Sequence, residues 1–90
     1  MFLHLGQDTV ITTDEIIGIF DIDTTTVSKA TRTYLSKKEK DGNVINVSYE
    51  LPKSFIVTLN KNQKEKTVYI SPISSVTLLK RIDNAAYLKE

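Results

Sequence analysis

The segment over residues 66–81, KTVYISPISSVTLLKR, constrains the fold most, because it predicts a strand that leads directly into a helix. Residues 67–70 are β-branched or aromatic, which is typical of a strand. Ser71 is a preferred N-cap residue, and Pro72 is well tolerated as the first helical residue, where its missing N–H would have had no partner. We therefore predict a helix from Pro72 to about Leu88, joined to the strand with almost no loop.

Helical spacing divides this predicted helix into a polar face and an apolar face. The polar face carries Thr77, Lys80, Arg81 and Asn84. The apolar face carries Val76, Leu79, Ile82 and Ala86. The pattern predicts a positively charged surface on a rigid element.

The rest of the chain predicts a second helix and several short strands. The helix covers about residues 26–38, and the threonines at 24–26 offer its N-cap. The predicted strands cover residues 2–5, 9–12, 15–22, 44–51, 54–59 and 66–70. This order predicts one α+β domain over residues 1–90, with a mostly antiparallel sheet and the second helix at the C-terminus.

Two of these strands carry specific expectations. The near-continuous apolar run over residues 15–22 predicts a central strand covered on both faces, and Gly18 within it indicates a bulge. The alternation over residues 44–51 predicts a half-buried strand. Its inward face consists of Ile45, Val47, Tyr49 and Leu51.

The composition excludes several classes of protein. Without cysteine the chain has no disulfide, no thiolate metal site and no cysteine nucleophile. No apolar run approaches the roughly 18 residues of a membrane span, and no basic residue precedes a hydrophobic stretch at the N-terminus as in a signal peptide. We therefore expect a cytoplasmic protein without a membrane partner.

Charge is distributed unevenly along the chain. Residues 1–27 contain five carboxylates and no Lys or Arg, a net charge of −5, whereas residues 28–90 contain 12 basic and six acidic residues, a net charge of +6. A basic surface can bind phosphates, and acidic and basic surfaces of neighbouring copies can bind each other. The same charges can also form ordinary solvated faces.

Residues capable of catalysis have simpler structural explanations. His4 is expected to be a half-exposed strand residue without catalytic partners. Asp21 and Asp23 precede a predicted helix, where negative charge complements the helix N-terminus. Ser71, Ser74 and Ser75 lack the GxSxG context of a nucleophile, and capping explains them. We therefore expect no enzyme activity, metal, cofactor or small-molecule substrate.

Four collinear pieces of the sequence resemble the Rem family of small bacterial regulators of extracellular-matrix and biofilm genes, most closely its RemB branch. They span almost the whole chain, and their combination is specific. The pieces are Leu3-His4-Leu5-Gly6 with Asp8, residues 16–21, Pro52-Lys53-Ser54 with residues 56–58, and residues 69–72 with Ser74-Ser75, Thr77-Leu78 and Lys80-Arg81.

The resemblance implies a bacterial transcriptional regulator that binds double-stranded DNA. The RemA branch activates matrix operons by binding DNA and assembles into closed rings, and its fold is similar to LytTR-type DNA-binding domains. We therefore expect a ring-like homo-oligomer. Only two of the 12 basic residues are arginines, which favours phosphate contacts over base recognition. The predicted DNA-binding residues are Lys53, Lys80 and Arg81, followed by Lys29, Arg32 and Lys37.

One stretch departs from the family pattern. RemA relatives carry an arginine-rich turn, associated with DNA contact, after the Tyr that ends the fourth strand. Here the same place reads Tyr49-Glu50-Leu51-Pro52-Lys53, in which only Lys53 is basic. An alternative function is therefore an oligomeric interaction or scaffold protein that does not bind DNA directly.

Overall fold

The computed structural model describes residues 1–22, 29–60, 62 and 64–88, with side chains as far as residue 83. Within these residues the fold is α+β, as predicted, and the expected N-cap at residues 24–26 lies outside them. The elements are β1 (Phe2–Gly6), β2 (Thr9–Thr12), a 3-10 turn (Thr13–Glu15), β3 (Ile16–Asp21), α1 (Lys29–Lys40), β4 (Val44–Asn46), β5 (Ser54–Asn60), β6 (Glu65–Ser71) and α2 (Ser75–Leu88).

The described strands form two sheets. β1 and β2 pair as an antiparallel hairpin. The other four strands have the order β3-β5-β6-β4, in which β5 is antiparallel to both β3 and β6, and β4 runs parallel to β6. The prediction of a mostly antiparallel arrangement is confirmed, and β3 and β4 are the two edges of the larger sheet.

The four-stranded sheet has a cover on each face. α1 packs on one face, and the β1–β2 hairpin packs with α2 on the other. β5 is buried from residue 54 to residue 58 because it lies between these layers. Its Ile56 packs with Leu78 of α2, whereas Phe55 and Val57 pack on the α1 side. Successive residues of a strand point to opposite faces, so β5 contributes to both cores.

The prediction that residues 15–22 form a central strand covered on both faces is wrong. β3 lies at the edge of the sheet, and no described strand pairs with its outer side. Ile17 and Phe20 are exposed. The predicted bulge at Gly18 is confirmed by a register shift between Ile16 and Gly18. An apolar run indicates that side chains can be buried, but it does not specify the position of the strand in a sheet.

The strand predicted over residues 44–51 ends early, because the chain leaves the sheet after Asn46. Val47 is buried as predicted, in the core beneath the hairpin. The Ser48 hydroxyl accepts a hydrogen bond from the Glu50 N–H at 3.0 Å, a local turn that competes with strand pairing. The predicted inward face is wrong at three exposed positions, which are Ile45, Tyr49 and Leu51.

Ser71 does not cap α2, because it is buried at the end of β6. Its hydroxyl donates a hydrogen bond to Leu5 O at 2.6 Å and accepts one from the Ile73 N–H at 3.0 Å. An unpaired polar group in this position would cost about 1–3 kcal/mol. The Ser71 side chain therefore links β6 to the β1–β2 hairpin through its hydrogen bond to the Leu5 carbonyl.

The helix predicted to begin at Pro72 begins instead at Ser75. Ser74 caps it, since its Oγ accepts a hydrogen bond from the Thr77 N–H at 3.3 Å. Three residues therefore connect β6 to α2. Capping does explain one of the serines, but this serine lies three residues after the predicted cap.

Two glycines with positive φ provide a matched test of backbone strain. Gly6 has a φ of +121°, and a Cβ atom there would lie 3.3 Å from Val47 Cγ1. Gly42 has a φ of +77°, and a Cβ atom there would have no neighbour within 4 Å. We expect Gly6→Ala to lower the free energy of unfolding by about 2–3 kcal/mol, and Gly42→Ala by about 1 kcal/mol. Urea unfolding measures both, and equal losses would show that crowding at Gly6 has no effect.

Candidate nucleic-acid interface

The exposed side of α2 is set by the residues that it buries. Leu78 is fully buried against the sheet and hairpin, and Ser75 is also buried. Val76 and Leu79, predicted to face the core, are exposed beside Lys80. The predicted apolar face of the helix is therefore wrong at these two positions, because the core receives the stripe that contains Leu78.

Lys80 and Arg81 are exposed on α2, as the sequence predicted. The Arg81 Nη1 donates a hydrogen bond to the main-chain oxygen of His4 at 3.1 Å. This bond ties the guanidinium to β1, so the positive charge has a defined position. The His4 Nε2 lies 2.6 Å from Gln7 O, and His4 is the exposed strand residue that was expected.

Lys53 lies near the start of α2, although it belongs to a different part of the sequence. Its N–H donates a hydrogen bond to Ser71 O at 2.9 Å, and its carbonyl accepts one from the Ile22 N–H at 2.9 Å. The adjacent Ser54 donates through Oγ to Ile73 O at 2.7 Å, just before the helix. The structure therefore places the exposed Lys53 beside the β6–α2 connection.

The other three predicted DNA-binding residues lie on α1. Lys29, Arg32 and Lys37 are all exposed. α1 carries five basic side chains and one carboxylate, whereas α2 carries two basic side chains and one carboxylate. Because the two helices cover opposite faces of the sheet, the six predicted residues form two separate groups. We name them the α2 group (Lys53, Lys80 and Arg81) and the α1 group (Lys29, Arg32 and Lys37).

The carboxylate of Asp21 contacts the first residue of α2. Asp21 Oδ1 accepts a hydrogen bond from the Ser75 Oγ at 2.5 Å, which joins the end of β3 to the helix. The sequence predicted that Asp21 complements the N-terminus of the first helix, whereas the structure places its carboxylate against the first residue of the second helix. Asp23 lies outside the described residues. Among the residues that the structure describes, no three His, Asp or Glu side chains form a group that could hold a metal.

Sequence reasoning missed an apolar groove between β3 and α1. We name it the β3–α1 groove; its volume is about 400 Å³, and Lys66 is the charged residue of its lining. Its apolar lining includes Ile17, Phe20, Ala30, Tyr34 and Phe55. The sequence feature that could have indicated the groove is the long apolar run over residues 15–22, because it is more hydrophobic than an exposed edge strand requires.

Neither α1 nor α2 has the length and apolar character that a helix needs to cross a membrane.

Comparison with known proteins identifies relatives over most of the chain. Residues 2–82 match the RemA-like family, described as extracellular matrix regulatory protein A-like. The chain is 41% identical over 81 residues to extracellular matrix regulatory protein B of Bacillus subtilis (strain 168). That alignment covers 90% of this chain and 89% of the relative.

Proposed function

Since the chain belongs to the RemA-like family of extracellular matrix regulatory proteins, we propose that it is a transcriptional regulator of extracellular-matrix and biofilm genes that binds double-stranded DNA. It acts in the cytoplasm as a homo-oligomer, in a ring-like arrangement. The family match confirms the resemblance found in the sequence and supports the regulatory part of the proposal. The role involves no catalytic step, membrane or small-molecule substrate.

The observation that carries DNA binding is the fixed cation on α2. Arg81 is held by its hydrogen bond to His4 O, and Lys80 precedes it on the same helix. Cations on rigid elements bind phosphates and set the register of a protein on a duplex. We therefore assign the α2 group to phosphate contact, as part of a binding mode similar to that of LytTR-type domains.

The α1 group has a different role in this proposal. It lies on the opposite face of the sheet, so the two groups of one subunit cannot both contact the same short straight stretch of duplex. Helix α1 as a whole carries a higher net positive charge than α2, and this charge raises the local concentration of DNA around the protein without defining a register. Repetition of the α2 group around an oligomer then converts several weak contacts into a stable complex.

The alternative function, an oligomeric scaffold without direct DNA binding, is favoured by one observation. Where RemA relatives are expected to carry an arginine-rich turn, this chain exposes Tyr49 and Leu51 on either side of Glu50. Exposed apolar side chains are typical of contacts with proteins rather than with phosphates. In this case the basic residues would take part in contacts between subunits.

Fluorescence anisotropy distinguishes the two functions. A labelled matrix-promoter duplex and a scrambled duplex are titrated with the protein at several salt concentrations. We expect binding that prefers the promoter, with log affinity falling linearly with log salt by about 0.9 per phosphate contact. Absence of binding to either duplex at low salt would contradict DNA binding and favour the scaffold.

A further inference from the structure

Helix α1 presents a line of positive charge to solvent. At about 100° per residue, Lys29, Arg32, Lys37 and Lys40 lie within an arc of about 140° around the helix. All four side chains are exposed. We name these four residues the α1 stripe. From its first to its last residue the helix rises by about 16 Å, which is the length of the stripe.

The fifth basic residue of α1 has a different environment. Lys38 is half-buried, and its Nζ lies 6.0 Å from the centre of the Tyr34 ring. Tyr34 and Leu35 pack against the sheet. The helix therefore has an inner side that packs and an outer side that carries the stripe.

Helix stability explains only part of this charge. Lys37 and Lys40 lie in the last turn, where positive charge complements the helix dipole. Lys29 lies in the first turn, where positive charge is unfavourable, and that turn contains no acidic residue. Within the described part of the chain, no ion pair involves any of the four side chains. The stripe therefore offers its charges to an anion outside the chain.

The surroundings of α1 add to its positive charge. Lys66 of β6 is exposed and lies with Tyr34 in the lining of the β3–α1 groove. The carboxylates of residues 1–21 belong to the β1–β2 turn, the 3-10 turn and β3, and Asp21 is hydrogen-bonded to Ser75 of α2. A positive potential over the face of α1 attracts a polyanion.

The chemistry of the stripe suits phosphates more than base edges. Three of its four residues are lysines, which bind phosphate as point charges and recognise no base pattern. One strand of a duplex places a phosphate about every 3.4 Å along the axis, so the stripe runs beside several of them. Non-specific contacts of this kind give dissociation constants of about 10⁻⁴ to 10⁻⁶ M at physiological salt.

A promoter held by the α2 group does not reach the stripe of the same subunit. The two helices cover opposite faces of the sheet, in a molecule that measures 41 × 33 × 22 Å. One duplex would have to reverse its direction around this body within about 20–30 base pairs. The elastic cost of bending rises with the square of the angle, so a reversal costs roughly four times as much as a bend of about 90°. A separate duplex segment avoids that cost.

We propose that the α1 stripe binds a second duplex of any sequence while the α2 group holds the promoter, so that the protein bridges two DNA segments. The inference rests on the proposed DNA-binding function and adds a second nucleic-acid surface to it. The two surfaces differ in kind, because Arg81 is fixed by the His4 carbonyl, whereas the stripe sets no register. The bridge joins a bound promoter to any duplex nearby.

Capture of one duplex by another tests the bridge. A matrix-promoter duplex is immobilised, loaded with the protein and washed, and a labelled scrambled duplex of the same length is then added. We expect the wild-type protein to capture the labelled duplex at about 0.05 M salt. Four phosphate contacts predict that the affinity of capture, per retained protein, falls about 100-fold when salt is raised to about 0.2 M.

Two charge reversals of equal size separate the two surfaces. Lys29→Glu/Arg32→Glu alters the stripe, and Lys80→Glu/Arg81→Glu alters the α2 group. We expect the stripe variant to capture at least tenfold less labelled duplex per retained protein, whereas the α2 variant loses retention on the promoter. Lys29→Gln/Arg32→Gln gives an intermediate loss of capture, because it removes the two charges without reversing them. Circular dichroism checks that each variant is folded.

A homo-oligomer offers another way to join two duplexes, through α2 groups on different subunits. In that case the stripe variant would capture the labelled duplex as well as the wild type does, which would overturn the bridge. Equal losses of retention and capture in the stripe variant would place α1 in the promoter interface and also overturn it.

The wild-type protein separates this inference from the proposed function. Retention on the promoter without capture of a second duplex at low salt would overturn the bridge and leave the regulator that binds DNA intact. Failure to bind either duplex at low salt would overturn the proposed DNA binding and the bridge together.

Discussion

Reversing the charges of Lys80 and Arg81 together is expected to weaken binding to a matrix-promoter duplex about 10- to 100-fold at about 0.1 M salt. Each lost phosphate contact removes about 0.9 from the slope of log affinity against log salt, so the slope falls by about 2. Both side chains are exposed, and Arg81 is held in place by the His4 carbonyl. Anisotropy at three or more salt concentrations measures the affinity and the slope in one series.

The matched control is the same charge reversal at Lys29 and Arg32 on α1. It changes the net charge of the chain by the same amount, but it acts on the opposite face of the sheet. We expect a smaller loss of affinity and of slope. Equal losses would indicate that affinity follows the overall charge of the protein. A larger loss in the control would move the interface to α1.

Truncation of Leu78 to Ala is expected to lower the free energy of unfolding by about 3–5 kcal/mol. Leu78 is completely buried and belongs to the core that includes Leu5 and Ile56. A 90-residue domain has a total stability of roughly 5–13 kcal/mol, so this loss is a large share of it. The cavity would loosen α2 from the sheet and hairpin. Urea or thermal unfolding of the variant measures the effect.

Leu79 provides a control at the next position of the same helix. It is 49% exposed and carries the same side chain, so Leu79→Ala should cost less than about 1 kcal/mol. The pair also tests which face of α2 packs in the core. If Leu79→Ala were the more destabilising change, the helix would be rotated relative to the arrangement described here.

Several features of the candidate interface were predictable from the sequence. Lys80 and Arg81 lie near Leu78 in a helical pattern, and long charged side chains are rarely buried without partners, so their exposure follows from residue type. The same reasoning predicts the exposure of Lys29, Arg32 and Lys37. Their separation into two groups could not be predicted, because it depends on which face of the sheet each helix covers.

The apolar features were predicted less well. The run over residues 15–22 was correctly read as a strand with a bulge, but its position at the sheet edge depends on pairing with β5. The alternation over residues 44–51 favoured a longer strand, whereas the Ser48 turn and Pro52 take the chain out of the sheet. Because of these two errors, neither the β3–α1 groove nor the exposure of Tyr49 was predicted.

The sequence by itself determined the α+β class, most of the strands and both helices, the uneven distribution of charge and the family. Those properties depend on local periodicity, residue chemistry and the order of motifs. Only the tertiary structure decided which strand became an edge, which stripe of α2 entered the core, and which residues form hydrogen bonds with Ser71 and Asp21. The physical reason is that burial is a property of two surfaces, and the sequence pattern of one segment specifies only its own side of the contact.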